Sequence, residues 1–100
     1  MQASNIINGR AYTDKDTKLF TDLPKDIQYA LTKWIYHNIA SRKTVNLKYT
    51  SYDLKGLAEA AIGFYITNNE FKDAMLHCGF NPVNPNSLNW HYKINVKSRG

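Results

Sequence analysis

One hundred residues with a formal charge of +5, 43% hydrophobic and 13% aromatic, suffice for one compact domain and not for two. That composition excludes wholesale disorder, no apolar run approaches the roughly 20 residues that span a bilayer, and the single Cys78 excludes an intrachain disulfide framework. The opening "MQASNIINGRAYTDKD" lacks the basic and apolar regions of a signal peptide, so a soluble, cytoplasmic protein is expected.

Residues 1–21 read as a polar N-terminal arm, with a hairpin signal where Asn-Gly separates short apolar pieces in "NIINGRAY". Residues 22–100 read as one domain. In "TDLPKDIQYALTKWIYHNIASRK" an Asp before Leu-Pro opens a helix, with proline in its first turn. Ile27, Leu31, Trp34, Ile35 and Asn38 share one face of that helix, expected over 24–41, and Tyr29, Lys33, Tyr36 and Ala40 share the other.

"TVNLKYT" alternates, Val45, Leu47 and Tyr49 against Asn46, Lys48 and Thr50, which predicts a short strand. Thr50 and Asp53 form a capping signature for a helix over 51–62, with Leu54, Leu57, Ala58 and Ala61 inward and Gly63 ending it. After "GFYI", Thr67 and Glu70 cap a helix over 68–78. Phe71, Ala74, Met75 and Cys78 form its buried stripe, leaving Asn69, Lys72, Asp73 and Leu76 on the opposite face. Gly79 ends it. "FNPVNPNSL" reads as a loop, and "NWHYKINVK" as a strand with Trp90, Tyr92, Ile94 and Val96 on one side and His91, Lys93, Asn95 and Lys97 on the other.

The charge is segregated. No acid occurs from Ile27 to Tyr52, where Lys33, Arg42, Lys43 and Lys48 lie, or from Phe80 to Gly100, where Lys93, Lys97 and Arg99 lie. Between Ser51 and Gly79, Lys55 and Lys72 face Asp53, Glu59, Glu70 and Asp73, a net −2. Basic flanks of this kind suit an acidic partner such as nucleic acid.

From Asp22 to Lys97 the order helix, strand, helix, turn, helix, loop, strand resembles the winged helix-turn-helix fold, an α+β class of three main helices and a short antiparallel sheet. "TSYDLKGLAEAAIGFYITNNEFKDAMLHCGF" also resembles small proteins of phages and mobile elements in Gram-positive bacteria. The winged-helix resemblance implies double-stranded DNA as partner, with Asn68, Asn69 and Lys72 at the groove-facing start of a recognition helix. As surface residues of a helix start, the same three would have no such role.

Lys48, Arg42 and Lys43, with Asn84, Asn86, Ser87, His91, Lys93, Lys97 and Arg99 of the wing and tail, would follow phosphate or simply meet solvent. Tyr29, Lys33 and Tyr36 stack at i, i+4 and i+7, either packed beneath the arm or offered to a protein. With Asp73 and Leu76 they would form the contact face of the alternative function: a protein-binding inhibitor or adaptor, for example one directed against a host nuclease. His37, His77, Cys78 and His91 have no zinc spacing, and no Gly-rich phosphate loop is present. No cofactor, metal or catalysis is expected.

Overall fold

The computed structural model describes residues 5–7, 10–12 and 18–97. The chain is α+β. Helices α1 (Lys25–Asn38), α2 (Ser51–Ile62) and α3 (Asn68–His77) pack against one another. Strand β1 (Asn5–Ile7) pairs antiparallel with β2 (Arg10–Tyr12), and β3 (Ile39–Asn46) pairs antiparallel with β4 (Tyr92–Val96). From α1 onward, three helices and one two-stranded sheet follow in a winged-helix-like order.

Local chemistry explains the boundaries. Thr50 and Asp53 bond each other's backbone at the start of α2, at 3.3 Å and 2.9 Å, and Thr67 and Glu70 repeat the arrangement at α3, at 3.1 Å and 2.9 Å. Gly63 at φ 79° and Gly79 at φ 91° supply the left-handed turns after these helices. Thr67→Ala should therefore lower the unfolding free energy by about 1 kcal/mol in urea denaturation, the usual loss for a removed N-cap.

Helix α1 stops at Asn38, short of the expected residue 41, because Ile39 already pairs with Val96 and the Lys97 amide donates to the Asn38 carbonyl at 2.7 Å. The strand is correspondingly earlier than "TVNLKYT". Its polarity there is also reversed. Asn46 is buried, donating through Nδ2 to the Ile94 carbonyl at 3.0 Å and accepting the Lys48 amide at 2.9 Å, while Leu47 is 73% exposed. The asparagine turns the chain out of the sheet, so alternation ends where the sequence pattern begins.

The core contains Leu31, Trp34, Ile35, Leu54, Phe71, Met75, Trp90, Tyr92 and Ile94, as the periodicity selects. Ile27, Leu57, Cys78 and Val96 are half-buried, and Ala61, expected inward, is exposed at the end of α2. Phe20 and Leu23 join it, so the 3-10 turn Phe20–Asp22 is docked on the domain, and the expected division between arm and domain at 21/22 runs through it. Ser51 and Trp90 lock the start of α2 to the segment leading into β4. The Trp90 amide donates to Ser51 Oγ at 3.0 Å, and the Ser51 amide donates to the Trp90 carbonyl at 2.7 Å.

Candidate nucleic-acid interface

Helix α3 does not present the open, groove-facing start that the fold resemblance implies. Asn69 and Lys72, expected on its outer face, are fully buried. Lys72 Nζ donates to the Leu88 carbonyl at 2.7 Å and stands 4.3 Å from the Trp90 ring centroid. Asn68, half-buried, donates to Asn89 Oδ1 at 2.9 Å. The loop leading into β4 therefore covers the start of α3, where a groove-reading helix presents base contacts. Burial pulls the pKa of the Lys72 ammonium down to about 8.

The other side of α3 is also occupied. Asp73 Oδ2 accepts the Phe20 amide at 2.9 Å and lies 3.5 Å from His77 Nε2, and the Phe20 and His77 rings approach at 4.9 Å. Leu76 is half-buried against the core. Asp73 and Leu76 consequently serve the 3-10 turn and the core, which corrects their expected place on a free protein-binding face. Leu76 within the supposedly outer stripe was the sequence signal that this stripe is covered.

The sheet, by contrast, carries exposed basic residues. In β4 the alternation holds, with Tyr92 and Ile94 buried and Lys93, Asn95 and then Lys97 exposed. In β3, five residue steps from Ser41 to Asn46 face two steps from Ile94 to Tyr92, so the intervening residues bulge. Arg42 braces this bulge: Nε donates to the Thr44 carbonyl at 2.9 Å, Nη2 to the Val45 carbonyl at 3.0 Å and Nη1 to Asn95 Oδ1 at 3.2 Å. Its guanidinium thus has a structural task, while Lys43 beside it is exposed. A cleft of about 410 Å³ runs between Ser41, Arg42 and Lys93 on the strands and the Gly79–Val83 segment.

The other expected phosphate contacts are dispersed. Lys48 is exposed beyond the strand, 5.6 Å from the Tyr49 ring centroid. Asn84 and Asn86 are exposed but form their own turn, Asn84 Oδ1 accepting the Asn86 amide at 3.1 Å, with Ser87 half-buried beside them. His91 is half-buried and its carbonyl accepts the Val83 amide at 2.9 Å. The loop before β4 folds back on α3 and does not project as a wing. Arg99 lies outside the described residues.

On α1, Tyr29 and Tyr36 are 67% and 58% exposed around an exposed Lys33, whose Nζ is 5.5 Å from the Tyr29 ring. Cys78 is half-buried, and burial raises its thiol pKa against hydrogen bonds with Tyr36 and Thr32. Among the described residues no three His, Cys, Asp or Glu side chains gather as a metal site, and no helix is long and apolar enough to cross a membrane. Comparison with protein-family models, curated proteins and solved structures finds no match to this chain.

Proposed function

We propose that the protein binds nucleic acid, duplex DNA in the first instance, through the exposed face of its β3–β4 sheet. One observation carries this: Lys43, Lys93 and Lys97 are exposed on or beside two paired strands that contain no carboxylate. Phosphate contacts require charge and donors and carry no base information, so binding by this surface has weak sequence preference. The winged-helix-like order and the resemblance to small phage and mobile-element proteins support a regulator or accessory factor of such an element.

The test is fluorescence anisotropy with a random-sequence duplex at two salt concentrations. Each phosphate contact contributes a slope of about −0.9 in log K against log salt. Lys43→Glu, Lys93→Glu and Lys97→Glu should each lower affinity for every sequence and reduce that slope by about one, and the triple variant should abolish binding. Absence of binding at low salt, or a triple variant that binds like the wild type, rejects the proposal. The second reading, a protein-binding inhibitor or adaptor, is favoured by the exposed tyrosine pair on α1 and predicts that negative DNA result.

A further inference from the structure

A second cleft, separate from the basic strands, lies between the entry to α1 and the α2–α3 turn. It encloses about 320 Å³, with Leu23, Pro24, Phe64 and Tyr65 as apolar walls and Asp22 and Glu70 as carboxylates in its lining. Phe64 is 38% and Tyr65 71% exposed. Turn positions usually carry small or polar residues, so two adjacent aromatics at this one require a reason.

The turn is held firmly. Glu59 Oε2 accepts the Ile66 amide at 2.9 Å and pairs with Lys55 Nζ at 3.2 Å. That ammonium sits 4.8 Å from the Tyr52 ring and 4.9 Å from the Tyr65 ring. The Tyr65 ring already receives one cation from its own chain.

We infer that this cleft binds an arginine side chain presented by an extended segment of a partner protein. An arginine has a flat apolar stem suited to Leu23, Pro24 and Phe64, and a guanidinium that stacks on aromatic rings and bonds carboxylates. Charge complementarity favours it, because two carboxylates, Asp22 and Glu70, line the cleft against the single ammonium of Lys18. Glu70 uses Oε1 for the Thr67 amide and Asp22 uses Oδ2 for the Leu19 amide, at 2.9 Å and 2.7 Å, which orients both side chains. Lys18, exposed, also lines the cleft and adds one positive charge to it.

The probe is a decapeptide containing two Pro-Arg pairs, titrated into the ¹⁵N-labelled full chain, with a citrulline-for-arginine peptide as the isosteric neutral control. Amide shifts should saturate at Phe64, Tyr65 and Thr67, with the citrulline peptide at least about tenfold weaker, as loss of a charged hydrogen bond implies. Asp22→Asn and Glu70→Gln keep the acceptors that cap the backbone and should each weaken binding about tenfold. Lys18→Gln should strengthen it. Equal binding of the citrulline peptide, or no shift in these amides at millimolar peptide, overturns the inference. The Lys43, Lys93 and Lys97 variants should leave peptide binding unchanged, so this result and the DNA result stand or fall separately.

Discussion

Phe71→Ala should lower the unfolding free energy by about 3–5 kcal/mol, the range for deleting a core aromatic. Phe71 has no exposed surface and meets Trp34 edge-on, with ring centroids 6.3 Å apart and planes at 68°. It lies where α3 faces α1, so truncation opens a cavity between two helices that packed neighbours cannot readily fill. A domain of this size has about 5–15 kcal/mol in all, so the variant should sit near the edge of folding. The urea midpoint measures the loss, and Phe71→Leu, which retains most of the volume, should lose much less. A change below about 1 kcal/mol for Phe71→Ala would place this ring outside the core.

The second large effect is electrostatic and depends on pH. Lys72 titrates near 8 in the folded protein against 10.5 for a free side chain, because burial disfavours the ammonium. The unfolded chain therefore holds this proton more tightly. Below pH 8 the full cost of burying the charge is present. It is relieved as pH rises from about 8 to 10.5, and stability rises over that window. At about 1.4 kcal/mol per pH unit the relief is on the order of 3 kcal/mol. Lys72→Met removes the group, so wild type should gain on the variant by that amount between pH 8 and 10.5. Urea midpoints at pH 7, 8, 9 and 10 measure it. Parallel profiles would put the Lys72 ammonium in water and free the start of α3 for a ligand.

These two residues stand side by side in the sequence and show where reading it succeeds. Phe71 belongs to a 3.6-residue apolar period, and an apolar stripe has one low-energy destination. The same reasoning recovers the capping boxes, both left-handed glycines, the span of α2 and the inward face of β4, because each depends on neighbours within a few residues. The hairpin signal in "NIINGRAY" is likewise answered by the pairing of β1 and β2.

Lys72 illustrates the remainder. A lysine on a helix reads as exposed until something covers it, and what covers it comes from Leu88 and Trp90, far along the chain and in a loop without periodicity. The burial of Asn69, the engagement of Asp73 by Phe20 and the bracing of Arg42 by Asn95 likewise depend on contacts far apart in sequence or on a bulge. The cleft beside Phe64 and Tyr65 needs the α1 entry to meet the α2–α3 turn. Composition and period assign residues to the core or the surface of their own element. Only the packing of one element on another can cover a polar face, and here it covers the helix that a reading of local pattern leaves open to DNA while leaving the lysines of the sheet in solvent.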